Sequence, residues 1–387
     1  MAPGGRTGFS GVNENFFSSL EQKQDLIEVF DSNLKGSLKH LNALRARYYA
    51  PEISTSEFIR INSRYLTDRN NIYKNLSFSQ KESITQFSNR NSWAFLKRTN
   101  RCEDKVSQIE GDIDLILQTH LLHAPNFNNT KPKFIYIDFT TILSEREHVP
   151  WARFRSKSER NSWINLERKT CNNATGIFTF SEYVKKSVIG DYGVPEDKVT
   201  TVYSGVNLKE LPILEKDHNS KKILFVGLDF DRKGGQTLIK AFKEVKKEIK
   251  DAELIIVGSK PNVSIGGINV KGFIDRIELL QLHRHVSLFA MPSICDPFPN
   301  VFLEAMAYKT PCIGSTASGI PEMIEDGKSG LLVEPNDYKQ LAEKIIYLLE
   351  DENQLKKMGE RGRKRVEKYF TWDLVVDRMA NEFRKLG

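Results

Sequence analysis

From residue 221 onward the chain alternates short apolar runs with amphipathic stretches of ten or more residues. ILFVG (223–227), ELIIVG (253–258), INVKG (268–272), SLFAM (287–291), PCIGS (311–315) and GLLVEP (330–335) predict six strands. Helical spacing predicts helices over Thr237–Ile249 and Ile277–His285, one from about Asn300, and two over about 337–350 and 353–369. Strands without a polar face, each followed by a helix, predict a parallel sheet covered on both sides. A doubly wound sheet of that kind places its ligand at the carboxyl ends of its strands.

The N-terminal half is less regular. DLIEVF (25–30), DLILQT (114–119), KFIYID (133–138), GIFTFS (176–181) and VTTVYS (199–204) predict five strands with helical stretches between them, hence a second α/β domain. Residues 50–110 are polar and helix-like. The polar stretch Asn207–Ser220, carrying Pro212, reads as a linker between the two sheets. The sequence has no internal repeat and no low-complexity segment.

Two segments of the C-terminal half carry chemistry. In D-P-F-P-N-V-F-L-E (296–304) two prolines forbid helix until the second, which suits the first helical position. The predicted result is a helix N-terminus at the carboxyl edge of a parallel sheet, where backbone amides attract an anion. Asn300 and Glu304 are four apart and share a helix face. In F-D-R-K-G-G (230–235), Arg232 and Lys233 precede a tight glycine turn and a helix, an arrangement suited to a diphosphate. Alone, R-K-G-G is as readily a surface turn; beside the acid segment in one sheet it reads as a site.

Charge adds a preference for anions. Lys and Arg number 57 against 50 Asp and Glu, a net charge of +7. The densest basic stretch holds Arg146, Arg153, Arg155, Lys157, Arg160, Arg168 and Lys169, interleaved with Trp151, Phe154 and Trp163. It suits a membrane interface or an acidic acceptor, and equally an amphipathic helix packed on its own domain. No nucleic-acid-binding signature accompanies it, so nucleic acid is not an expected partner. Cys102, Cys171, Cys295 and Cys312 are widely spaced, which predicts four free thiols and a reducing cytoplasm. No apolar run approaches the ~18 residues of a bilayer span, and MAPGGRTGFSGV lacks the apolar core of a secretory signal.

The run F-V-G…R-K-G-G…L-I-x-A-F, M-P-S…D-P-F-P-N-V-F-L-E-A-M-A, G-I-P-E and D-G-x-x-G-L-L-V resembles the family 4 glycosyltransferases and covers essentially all of 221–387. FTFSEYVKKSVIGDYGVPEDKVTTVYSGV (178–206) is similar to the last strand–helix–strand of that family's first domain. The resemblance implies a GT-B fold of two Rossmann-like, doubly wound α/β domains facing across a cleft. These would be an acceptor-binding domain over 1–208, completed by a terminal helix at 372–387, and a nucleotide-sugar domain over 209–371. It implies a retaining, metal-independent hexosyltransferase without cofactor, moving sugar from a UDP- or GDP-sugar to a glycan or lipid-linked acceptor. The setting it implies is cell-surface polysaccharide synthesis in the cytoplasm, with peripheral contact at the inner membrane face. Glu304 would bind the ribose hydroxyls, Asp296 the donor sugar, and Arg232 and Lys233 the diphosphate. The main chain from Phe298 through Pro299 and Asn300 to Val301 would form the phosphate cradle. Gly227 and Gly272 would let backbone approach the nucleotide, with Gly8 and Gly11 near the phosphates. His120, or Asp138 after the next strand, would face the sugar, and Arg153 and Arg155 would lie on the acceptor side. Glu322 would order its own loop.

Three features depart from the family pattern. Leu228 stands where an arginine is usual, Asp296 where glutamate is usual, and the chain opens almost at the glycine-rich loop 4–11 without a preceding strand. These departures keep open the reading of an inactive scaffold in polysaccharide assembly; a sugar-nucleotide epimerase of the same fold is the other alternative, which the two acids disfavour.

Overall fold

The computed structural model describes residues 15–16, 19–20, 91–108, 113–124, 131–149, 153–154 and 156–386. The strand expected at 25–30, Gly8, Gly11, Trp151 and Arg155 lie outside the described residues. Contacts divide the chain into two units: residues 1–4, 29–179 and 184–200, and residues 5–28, 180–183 and 201–387.

In the first unit four strands, β1 (Ile116–Thr119), β2 (Lys133–Ile137), β3 (Gly176–Thr179) and β4 (Val199–Thr201), form a sheet in the order β1-β2-β3-β4. β2 runs parallel to both neighbours. Helices α1 (Ser92–Val106), α2 (Thr141–Arg146), α3 (Lys157–Asn172) and most of α4 (Glu182–Tyr192) surround it. A buried carboxylate ties α2, α3 and α4 together. Glu167 accepts from Thr141 Oγ1 at 2.7 Å, Trp163 Nε1 at 2.8 Å and Tyr192 Oη at 2.6 Å. Three donors satisfy a charge that burial alone would not tolerate, and burial together with Glu167 drives the Tyr192 pKa upward. Trp163 is fully buried and Phe154 packs against it at 6.4 Å, so these aromatics of the basic stretch face the core. The helix α3 of this stretch thus packs its aromatic side on its own unit.

The second unit holds β5 (Lys222–Val226), β6 (Glu253–Val257), β7 (Ile268–Gly272), β8 (Leu288–Ala290), β9 (Cys312–Ser315) and β10 (Gly330–Val333). The strands pair in parallel throughout. The order is β10-β9-β8-β5-β6-β7: from β5 the chain builds outward to one edge, returns to β8 and builds to the other. Covering the sheet are α5 (Gly235–Glu248), α6 (Arg276–His285), α7 (Asn300–Ala307), α8 (Ile320–Met323), α9 (Tyr338–Glu350), α10 (Glu352–Tyr369) and α11 (Trp372–Phe383). Leu238, Ala241, Phe242 and Val245 give α5 one buried stripe at helical spacing. α7 differs, because Phe302 through Ala307 are all buried, which carries Glu304 into the core with them. Residues 202–221, which include the expected linker, form no regular element.

The terminal helix α11 packs with the N-terminal segment of the same unit. Phe16 meets Trp372 at 5.2 Å, and Ser19 Oγ donates to Asp373 at 2.7 Å. All four cysteines are free, as their spacing predicted, and all are buried. Among the described residues no helix is long and apolar enough to cross a membrane, and no cluster could hold a metal ion.

Candidate functional site

The strand order reverses between β5 and β8, and the crevice at such a reversal, beyond the carboxyl ends, is where a doubly wound sheet takes its ligand. Both chemistry-bearing segments arrive there. The loop after β5 carries Arg232 and Lys233; the loop after β8 carries Asp296 and leads into α7.

Glycine fixes how the loops meet. Gly234 has φ of +77°, and a Cβ there would overlap the Pro292 carbonyl oxygen. Ile294 N then donates to Arg232 O at 2.8 Å, stitching the two loops along the backbone. At Gly227 the Lys233 stem lies across the backbone, and a Cβ would come within 2.6 Å of Lys233 Cδ. Gly272, at the end of the edge strand β7, is covered in the same manner by Lys260.

Asp296 is buried and binds both cations. Lys233 Nζ lies 3.1 Å and Arg232 Nη1 3.3 Å from its Oδ2. Arg232 also holds Asp229 Oδ2 through Nε at 2.9 Å and the Cys295 carbonyl through Nη1 at 2.8 Å. Burial opposes its charge, but Asp296 and Asp229 outweigh it and raise its pKa. Among the described residues Lys233 makes one ion pair, with Asp296, and lies 3.8 Å from Met291 Sδ.

Pro299 sits at the N-cap position of α7 with φ −72° and ψ 103°, one residue before the first helical position expected for it, and the helix begins at Asn300 as expected. Phe298 points inward, against Phe180 at 6.2 Å, Tyr203 at 6.2 Å and Phe370 at 5.9 Å. Asn300 and Glu304 share a face, but the Asn300 amide is committed. It accepts from Asn207 N at 2.9 Å and donates to Gly205 O at 2.8 Å. Val301 is half-buried in the first turn.

Glu304 is 3% exposed, and Arg276 Nη1 reaches its Oε1 at 3.1 Å. Burial raises its pKa, while Arg276, Asn207 and Lys233 act against the rise. Its Oε2 has no hydrogen-bond partner among the described residues. Sequence reasoning missed Arg276. The signal available was D-R-I-E: Asp275 caps α6 by accepting from Glu278 N at 2.8 Å, which sets Arg276 at the first helical position after β7. Arg276 also donates to Asn207 O, so the start of the linker, α6 and α7 converge on Glu304. Glu322, expected to order its own loop, instead accepts from the amides of Glu182 at 2.7 Å and Tyr183 at 2.9 Å, at the start of α4.

The remaining candidates lie in the first unit. His120 follows β1 with φ of +77°, an uncommon conformation for a non-glycine residue. Its carbonyl accepts from Gln118 Nε2 at 2.6 Å. Asp138 follows the neighbouring strand β2, so both stand at the carboxyl edge of one sheet. Arg153 is exposed.

Two family models match consecutive stretches of the chain: Glycosyltransferase Family 4 over residues 77–210, and Glycosyl transferases group 1 over residues 207–365. The second covers every site residue described above in the β5–α7 region. The chain belongs to glycosyltransferase family 4. It is 29% identical over 238 residues to the capsular polysaccharide biosynthesis glycosyltransferase CapM of Staphylococcus aureus, covering 55% of this chain and 63% of that protein. It spans between 59% and 64% of the length of the first curated relatives that it matches. Among solved structures, sucrose-phosphate synthase from Thermosynechococcus elongatus matches with a TM-score of 0.60 at 22% identity, over 76% of this chain and 78% of that one. Anabaena HepE, in complex with UDP and glucose, matches with a TM-score of 0.57 at 16% identity, over 92% of this chain and 98% of that one. These likenesses are of fold, and the fold of this family 4 member is GT-B.

Proposed function

We propose that this family 4 member transfers a hexosyl group from a UDP- or GDP-sugar to a glycan or lipid-linked acceptor, with retention of configuration, in cell-surface polysaccharide synthesis. The observation that carries this reading is the meeting of Lys233, Asp296 and the start of α7 at the reversal between β5 and β8. Breaking the bond between the sugar C1 and the diphosphate oxygen leaves negative charge on the diphosphate and positive charge on the ring. Lys233 and the first amides of α7 would stabilise the diphosphate, and Asp296 would hold hydroxyls of the sugar. Glu304, through the unpaired Oε2, would accept from the ribose hydroxyls. The acceptor oxygen would form its bond to C1 on the face the diphosphate leaves, with its proton passing to a diphosphate oxygen. In this scheme the protein's cations do the work a divalent metal does elsewhere. The glucose and UDP in the HepE complex, and the capsular polysaccharide named for CapM, support the donor class and the setting.

The test is a panel of nucleotide sugars read by mass detection of slow hydrolysis and transfer, with and without a chelator. Hydrolysis of at least one donor, undiminished by the chelator, is expected. Absence of any melting-temperature shift with every donor would refute nucleotide-sugar binding, and shifts without turnover would favour a scaffold.

A further inference from the structure

The groove between α2 and α3 has no part in the donor reading. It is a cavity of about 280 Å³ lined by Ile142, Arg160, Asn161, Ile164, Asn165 and Arg168. All but Ile142 come from α3, at spacings that place them on one helix face.

The hydrogen-bonding inventory of that face is one-sided. Asn161 Oδ1 accepts from Arg160 Nη1 at 3.2 Å, and Asn165 Oδ1 accepts from Arg168 Nη1 at 3.3 Å. Each amide oxygen is thus engaged by a cation, while neither Nδ2 has a partner among the described residues. Two amides and two guanidiniums in this arrangement offer donors to a ligand and almost no acceptors.

Charge is one-sided too. Glu145 grips Arg160 through both oxygens, at 2.6 and 2.7 Å. The Asp191 carboxylate is taken by Arg146 at 2.8 and 3.1 Å and by Ser187 Oγ at 2.7 Å. Arg168 is left with neutral oxygens, those of Asn165 and the Asp191 main chain at 3.2 Å. Among the described residues no carboxylate lies within ion-pair distance of it. Beneath this cationic, donor-only wall the side chains of Ile142 and buried Ile164 give an apolar floor. The volume falls just below the ~300 Å³ at which ordinary ligand pockets begin, room for one ring-sized unit.

We propose that this groove binds a single anionic sugar unit, its carboxylate or phosphate held by Arg168 with Asn161 and Asn165 donating alongside and the ring resting on Ile142 and Ile164. It lies wholly in the first unit and uses no residue assigned to the donor.

Calorimetric titration of the full chain with glucuronate, glucose 6-phosphate, inorganic phosphate and glucose at low ionic strength tests this. Either charged sugar should bind at least about tenfold more tightly than glucose and than phosphate alone, and comparing the two tells carboxylate from phosphate. Arg168→Gln, on an exposed helix position, should weaken that binding at least about tenfold. Asn165→Asp, which supplies Arg168 with a carboxylate partner, should abolish it. Both variants should melt near the parent temperature. Glucose or phosphate binding as tightly as the charged sugars, unchanged affinity in Arg168→Gln, or no binding up to about 10 mM of either charged sugar would overturn the proposal.

Discussion

Lys233 Nζ stands 3.1 Å from Asp296 Oδ2, joining the loop after β5 to the loop after β8 where the strand order reverses. Arg232 reaches the same oxygen, but the two cations differ in what else they hold. Arg232 also ties down Asp229 and the Cys295 carbonyl, so it fixes the shape of both loops. Lys233 would exchange one ion pair for a phosphate and leave that framework standing.

The two cations should therefore separate by experiment. Lys233→Ala is expected to lower kcat/KM on the best donor by about 100- to 1000-fold, the scale of one lost electrostatic contact in a preorganised site. Its stability should change little. Arg232→Ala takes a donor from the half-buried Asp229 carboxylate and from the Cys295 carbonyl, which costs about 1–3 kcal/mol per group. Its melting temperature should drop clearly. Equal melting losses in the two variants would show that this division of labour is wrong.

Glu304 carries the second prediction. Burial raises its pKa above the ordinary carboxylate value, with Arg276 opposing. A carboxyl whose folded pKa is raised contributes stability that is present below about pH 4.5 and lost as pH rises through the folded value. Glu304→Gln, which keeps the shape and discards the charge, should flatten the decline in stability above pH 4.5. It should also weaken every donor nucleotide about tenfold or more, since bonds to a charged acceptor contribute about 1.5–3 kcal/mol. Denaturant midpoints at pH 4, 5.5 and 7, alongside nucleotide titration, check both halves. A variant that binds nucleotide as tightly as the parent removes Glu304 from the site.

The architecture was legible because it rests on local pattern. Apolar runs at β5 to β10, separated by amphipathic stretches, fall within a residue or two of the observed strands. The prolines at 297 and 299 placed the start of α7, and R-K-G-G placed the turn after β5. What the pattern could not carry is which side chains meet across loops. Nothing local to Lys233 says that its stem lies over Gly227, or that Arg232 spends its donors on Cys295 and Asp229. The pairing of Arg276 with Glu304 joins residues 28 apart on different helices, fixed only once the sheet is assembled. The same holds for the basic–aromatic stretch, because helical spacing alone did not say that Trp163 would find Thr141 and Glu167 in the core.

Glu322 offers a prediction about stability without chemistry. Its two oxygens accept from the amides of Glu182 and Tyr183, bonds of the charge-assisted kind. Glu322→Ala should cost about 1.5–3 kcal/mol while leaving nucleotide affinity unchanged. Urea unfolding and donor titration of the same variant measure the two effects; a large change in donor affinity without loss of stability would instead place Glu322 at the substrate.

The amino edge of the second sheet holds an unusual expense in buried polarity. His283 is wholly buried between Phe289 and Tyr308, each 5.9 Å away, and neither ring nitrogen has a partner among the described residues. Burial, aided by Lys216 and Arg276, lowers its pKa to about 3. Burial and Lys216 likewise lower His218 to about 4. A histidine depressed in the fold contributes stability that is full above its unfolded pKa near 6.5 and lost as pH falls through the folded value. Acid should therefore destabilise this unit progressively between about pH 6.5 and pH 3, at up to about 1.4 kcal/mol per pH unit for each histidine. His283→Phe removes two unpaired nitrogens and keeps the aromatic packing. It should raise stability at pH 7 by about 1–3 kcal/mol and flatten part of the acid decline. Urea midpoints at pH 7, 5 and 4 test both; a Phe variant less stable than the parent at pH 7 would mean that the ring nitrogens are satisfied in solution.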